Sequence, residues 1–168
     1  MLAPALQLIN PTTARDDQGR ELRFFGGCNY VGLGQHPDVL NAVSAHLPAF
    51  GLSAGASRTT TGNTELHLRL EHQLKEFLGT EAVVLLPDGY TANIAAAQAL
   101  VAQGFRDVHL DARAHPSLRD AAMAAGLAVS RFPHRSPVEH GGARWQTVFT
   151  DGVFTADGAI APIAHHLA

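Results

Sequence analysis

Apolar positions recur along this chain at two different spacings, and the change of spacing divides it. From Pro37 to Phe50, Val39, Leu40, Val43 and Leu47 follow helical spacing, which predicts an amphipathic helix closed by Gly51. A second helix is predicted from Thr64 to Leu78. Leu66, Leu70, Leu74 and Phe77 form its stripe, Asn63 caps it, Glu65 complements its dipole and Gly79 stops it. Ahead of both, Asp16-Asp17-Gln18-Gly19 is a turn signal between extended-looking residues, so 14–25 reads as a short hairpin arm. Gly51 to Gly62 is a Gly/Ser/Thr loop.

After Gly79 the pattern becomes strand, loop, helix, repeated. Ala82-Val83-Val84-Leu85-Leu86 is a continuous apolar run, the signature of a strand buried on both faces. Asp88-Gly89-Tyr90 then turns into a helix over 91–102. A strand at Asp107-Val108-His109-Leu110 is followed by a helix near 116–125. Further strands are predicted over 127–132 and 146–150, separated by a polar loop over 133–143, and a last helix begins after Pro162. Alternation of this kind predicts an α/β fold with a largely parallel sheet.

Composition narrows the class. Of 168 residues, 46% are hydrophobic and the net charge is −3, which excludes a disordered chain and gives no basic face for nucleic acid or an anionic membrane. No apolar run approaches the ~20 residues of a membrane span. Cys28 is the only cysteine, so there is no disulfide framework and a reducing compartment is expected. Met1 to Ile9 lacks a basic n-region and a long apolar stretch, so no targeting signal is expected and the cytoplasm is the expected location. Lys75 is the only lysine.

Three features could carry chemistry. Asp88-Gly89-Tyr90-Thr91 lies between a strand and a helix start, where free backbone amides and the helix dipole favour an anion, and Gly89 permits close approach. By itself it also reads as an ordinary strand-to-helix turn. The ten histidines suggest metal, yet His67 and His72 are spaced wrongly for one helix face, His165-His166 point apart, and no metal-binding pattern occurs. His115 differs because it follows a strand and opens a helix at the carboxyl edge, where α/β proteins bind ligands. It is either a helix cap or a ring that stacks on a flat cofactor. The third feature, Thr150-Asp151-Gly152-Val153-Phe154-Thr155-Ala156-Asp157-Gly158, carries hydroxyls and carboxylates just after a strand.

Read together and in order, these segments resemble the α-oxoamine synthases, fold-type-I enzymes that use pyridoxal 5′-phosphate (PLP). The resemblance rests on Asn29-Tyr30-Val31-Gly32-Leu33, Gly55 to Asn63, His67, Leu70-Glu71, Asp88 to Asn93, Asp111 to Leu118 and Thr150 to Gly158. It covers about Phe25 to Ile163, and it implies that residues 1–27 form an N-terminal arm and 28–168 the first portion of the PLP-binding large domain. It also implies that the backbone of Gly89 and Tyr90 holds the PLP phosphate and that His115 stacks on the pyridine ring and orients substrate. Thr155 stands where the family has a PLP-contacting Ser, and Ser57 and Thr59 fall in the loop that helps read the acyl group. The implied reaction is a decarboxylative Claisen condensation of an amino acid with an acyl-CoA thioester, PLP acting as electron sink. The complete enzyme is implied to be a homodimer.

Some of the family pattern is not present. The Schiff-base lysine of a Ser/Thr-x-x-Lys stretch is absent, as is the Asp and His motif for the pyridine nitrogen, and Lys75 reads as a solvated helix lysine. Cys28 replaces a common Asn, and Asp88 replaces a frequent Ser or Thr beside the phosphate. The 168 residues alone are therefore expected to be incomplete as a catalyst. They are also expected to aggregate readily, because the family pairs the strand matching 82–86 with strands formed late in the large domain. Two other readings stand beside this one. The first is a short non-catalytic partner of a full-length relative, which the missing lysine favours. The second is a fold-type-I aminotransferase, which the Thr61-Gly62-Asn63 and Asp151-Gly152-Val153-Phe154 motifs disfavour.

Overall fold

In a computed structural model of the chain, residues 5–138 and 147–166 are described, and they divide into two compact units, Met1–Gly79 and Thr80–Ala168.

The first unit opens with a three-stranded antiparallel sheet, β1 (Gln7–Asn10), β2 (Thr13–Arg15) and β3 (Glu21–Arg23), in that order. The expected turn between β2 and β3 is built around Asp16. Its Oδ1 accepts from the Gln18 and Arg20 amides at 3.0 and 2.8 Å, while Gly19 takes the left-handed conformation the turn requires. Strand β1 was not legible beforehand, because its pairing depends on a tight turn closed by Asn10 Oδ1, which accepts the Thr12 amide.

Helix α1 (Pro37–Phe50) matches its expected span, with Pro37 in the first turn, the Asp38 amide donating to His36 Nδ1, and Gly51 at the end. Helix α2 (Glu65–Leu78) also forms, but its cap differs from expectation. Thr64, not Asn63, is the N-cap, and its N–H donates to His67 Nδ1 at 3.2 Å, a reciprocal arrangement of the capping-box kind. Asn63 is diverted: its Oδ1 accepts from Arg58 Nε and Nη2 at 3.1 and 2.8 Å. Neither helix contains a buried residue: the α1 stripe is exposed throughout, and in α2 Leu70 and Phe77 (84%) are exposed while Leu66 and Leu74 are half-buried.

The second unit is a parallel sheet of β4 (Asp107–Asp111), β5 (Ala128–Phe132) and β6 (Val148–Phe149) in the order β5-β4-β6. Helices α3 (Gly89–Ala102) and α4 (Pro116–Ala124) pack with it around Ala97, Val108, Leu110, Ala121, Ala122, Leu127 and Phe149, and a short α5 (Ile163–His166) follows. Alanines at the helix contacts let the helix axes approach closely, so the larger apolar side chains come mainly from the sheet. Gln146, expected in the β6 strand, lies outside the described residues, as do the last residues of the expected 133–143 loop.

One expected strand is absent. Residues 82–86 belong to no strand of either sheet, and Val84 is 73% exposed. An apolar run records that a segment suits burial, but a strand exists only where a neighbouring chain supplies its hydrogen bonds.

Candidate active site at the carboxyl edge of the sheet

Helix α3 packs on α4, and side chains tie their N-terminal halves together. Tyr90 OH donates to Asp120 Oδ2 at 2.7 Å, and Asn93 Nδ2 donates to Ser117 Oγ at 2.8 Å. The bond to Asp120 raises the Tyr90 phenol above its ordinary value, while that bond and Arg119 hold the Asp120 carboxyl below the usual range.

His115 is the N-cap of α4. Its Nδ1 accepts from the Ser117 amide at 3.2 Å and lies 2.7 Å from Ser117 Oγ, which is buried. The Ser117 amide can only donate, so Nδ1 presents its lone pair there and the Ser117 hydroxyl donates to it as well. The neutral imidazole therefore carries its proton on Nε2. The His115 backbone N–H donates to Asp151 Oδ2 at 2.9 Å, bringing in the segment after β6. The cap reading of His115 is thus borne out, and the ring remains exposed.

His115 and Thr155 line one shallow pocket of about 190 Å³ together with Arg113, Asp151, Phe154 and Asp157. Its loop is a tight return in which Val153 bridges Ile160, the Phe154 amide donates to the Ala159 carbonyl, and Phe154 is buried. Arg113 Nη1 reaches Asp157 Oδ2 at 2.9 Å. The Ala159 amide, aided by His134 and Arg113, holds the Asp157 carboxyl below the usual range against the opposing pull of desolvation.

Gly89 and Tyr90 open α3 and are not among the residues lining that pocket. A Cβ at Gly89 would meet nothing within 4 Å, so the first turn of α3 is open to an incoming group. Asp88 already occupies part of it: its Oδ1 accepts the Thr91 amide at 2.7 Å, and that bond holds its carboxyl below the usual range. An open turn and an exposed flat ring would suit a phosphorylated aromatic cofactor, although the Asp88 carboxylate sets an anion at that same turn.

Ser57 and Thr59 lie in the first unit, where their hydroxyls are 2.9 Å apart. Their loop folds tightly onto Gly62, where a Cβ would collide with the Ala56 carbonyl oxygen, which accounts for a glycine at that position. Arg58 anchors the loop on α2 through Glu71 at 2.6 Å. Lys75 is exposed in the last turn of α2. Among the described residues no cluster of His, Cys, Asp or Glu could hold a metal ion, and no helix is long and apolar enough to cross a membrane.

Sequence reasoning missed His134, which lies on the strand-to-loop junction after β5 between Asp111 and Asp157. Its position just past a strand at the carboxyl edge was the available signal. Asn93, Asp111 and Ser117 fell inside the recognised motifs, but nothing in their spacing disclosed that they bond to one another or to His115 and His134.

Comparison with known proteins agrees with this geometry. The 8-amino-7-oxononanoate synthase of Mycolicibacterium smegmatis is 45% identical over 141 residues, covering 80% of this chain and 37% of the relative. That of Geobacter sulfurreducens is 37% identical, covering 87% and 39%. Among solved structures, serine palmitoyltransferase from Sphingomonas wittichii superposes with a TM-score of 0.84 at 29% identity, covering 99% of this chain and 44% of that one. The enzyme from S. paucimobilis carrying PLP and myriocin gives 0.81 at 28%, covering 97% and 43%. The chain therefore spans about two fifths of the length of these relatives. The family model for aminotransferase class I and II matches residues 25–163, and with these relatives it places the chain in that family, in its α-oxoamine synthase branch.

Proposed function

We propose that these residues supply the phosphate-holding and ring-facing part of a PLP-dependent α-oxoamine synthase, which condenses an amino acid with an acyl-CoA thioester. The observation that carries this reading is His115. Its Nδ1 is engaged by Ser117, its backbone is tied to Asp151, and its ring stays exposed in a pocket shared with Thr155. In such an enzyme PLP, when bound, stabilises a carbanion at the amino acid's α-carbon.

The residues of this chain would do the rest of the positioning. The amides of Gly89 and Tyr90 at the N-terminus of α3 would receive the phosphate. The His115 ring would cover one face of the pyridine and present its Nε2 proton to substrate. Thr155 would add a hydroxyl on the other lip of the pocket, while Ser57 and Thr59 would face the acyl group. Lys75 sits on the exposed end of α2, so the Schiff-base lysine would come from outside these 168 residues, as would the pyridine-nitrogen partner. A homodimer, with its active sites at the subunit interface, belongs to the same reading.

A second reading is favoured by the exposure of Val84 and Leu86 outside both sheets, which would suit a chain that docks on a full-length relative without catalysing. Two measurements separate the readings: the intact mass of the endogenous protein, and thiol release from acyl-CoA with glycine, alanine or serine. Release of CoA that is lost in His115→Ala supports the synthase, transamination without CoA release overturns it, and a 17.8 kDa species lacking both supports the docking chain.

A further inference from the structure

Arg58 uses two edges of its guanidinium on two partners. Along one edge, Nη1 and Nη2 donate to Oε1 and Oε2 of Glu71 at 2.6 and 3.1 Å, the forked geometry that makes arginine–carboxylate pairs strong. Along the other, Nε and Nη2 donate to Asn63 Oδ1 at 3.1 and 2.8 Å. Glu71 lies in the middle of α2, whereas Asn63 closes the loop that carries Arg58 itself. The Arg58 and Glu71 side chains are 31% and 18% exposed, so water screens the pair only in part.

The backbone between Arg58 and Asn63 is closed as tightly. The Ser57 carbonyl accepts from the Thr60 amide at 3.0 Å, the Gly62 amide at 2.9 Å and the Thr60 hydroxyl at 3.0 Å. Ser57 Oγ accepts the Thr59 amide at 3.3 Å and lies 2.9 Å from Thr59 Oγ1. One hydroxyl proton therefore lies between these two exposed oxygens, and the other faces outward, where a ligand oxygen can accept it. Arg58 is the residue between the two hydroxyls in the chain. Holding its side chain at both edges holds the backbone that carries them.

We propose that Arg58 is a positioning residue: clamped between Glu71 of α2 and Asn63, it sets the Ser57 and Thr59 hydroxyls and thereby how well their loop receives an acyl thioester. The acyl-facing role of those hydroxyls rests on the function proposed above, but the clamp itself does not. Lysine is a poor substitute, because a point charge reaches Glu71 and cannot fork onto Asn63 at the same time. A loop without the clamp has to be ordered when the acyl group binds, which weakens that binding and leaves the amino acid unaffected.

CoA release by the complete, PLP-loaded protein tests this, with glycine, alanine or serine and with acetyl-CoA, hexanoyl-CoA or palmitoyl-CoA. Arg58→Gln should raise KM for the acyl-CoA about tenfold, the factor for losing one charge-assisted bond. Arg58→Lys should recover part of that loss. In both, kcat and KM for the amino acid should stay within about twofold, since only acyl binding is touched. An unchanged acyl-CoA KM, or equal losses for both substrates, overturns the proposal. Asn63→Ala, an exposed position that leaves the Glu71 pair in place, keeps the test open if Arg58→Gln fails to fold. Hydrogen exchange supplies a reading without cofactor: the Thr60 and Gly62 amides should exchange about tenfold faster in Asn63→Ala, with the interior amides of α2 unchanged. Unchanged loop amides, or equal acceleration through α2, overturns the clamp. If the wild type releases no CoA from any pair, the functional reading fails and exchange alone decides the clamp.

Discussion

Ser117→Ala tests whether the hydrogen bonds beneath His115 control its ring. The Ser117 side chain is fully buried, and its Oγ lies 2.8 Å from Asn93 Nδ2 and 2.7 Å from His115 Nδ1. Alanine fits the space, so the loss is of hydrogen bonding rather than packing. It leaves the part-buried Asn93 amide without that acceptor, costing about 1–3 kcal/mol, and removes the hydroxyl proton from His115 Nδ1. In a unit of this size 1 kcal/mol shifts the melting temperature by roughly 4–8 °C, so a fall of at least about 4 °C is expected. Asn93→Ala should cost less, because Ser117 Oγ keeps His115, and the double variant should show a coupling of about 0.5–3 kcal/mol. Melting followed by circular dichroism gives the energies, and ring ¹⁵N chemical shifts show how far the Nε2–H form is retained. Additive costs within about 0.5 kcal/mol, with an unchanged tautomer population, would refute the coupling of α3 to the His115 ring.

Three more outcomes are expected. Asp88→Ser should preserve the α3 cap, since serine caps as well as aspartate, while tightening PLP or inorganic phosphate binding about fivefold, the factor for removing one water-screened like charge of about 1 kcal/mol; titration calorimetry on both proteins checks it. Asp88, Asp120 and Asp157 all have carboxyl groups held below their ordinary range in the folded chain. Their contribution is therefore complete above the unfolded value near about 4 and lost as pH falls through the depressed values, so melting temperature should drop steadily below about pH 4, and less steeply in Asp120→Asn. The 168 residues should self-associate as their concentration rises, through the open stripes of α1 and α2 and the exposed Val84, with Val84→Ser reducing it; a monomer at every concentration in light scattering would contradict this.

What the sequence by itself determined was whatever local chemistry decides. The spans of α1 and α4, the turn at Asp16 and the strands β4 and β5 follow from periodicity, proline and glycine placement and short capping contacts. The strand–helix alternation likewise specified a parallel sheet, and the ordered motifs marked the carboxyl-edge segments around Gly89, His115 and Thr155. Tertiary structure decided what depends on distant partners. Asn63 loses the cap of α2 to Thr64 because Arg58 takes its oxygen. Residues 82–86 remain outside the sheet because hydrophobicity records fitness for burial while strand pairing needs a neighbour's backbone. Asn93 of α3 bonds Ser117 beneath His115, and His134 meets Asp111 at the end of β4, across gaps of more than twenty residues. Hydrogen bonds between residues far apart in the chain have no periodicity to read, so only the folded arrangement discloses them.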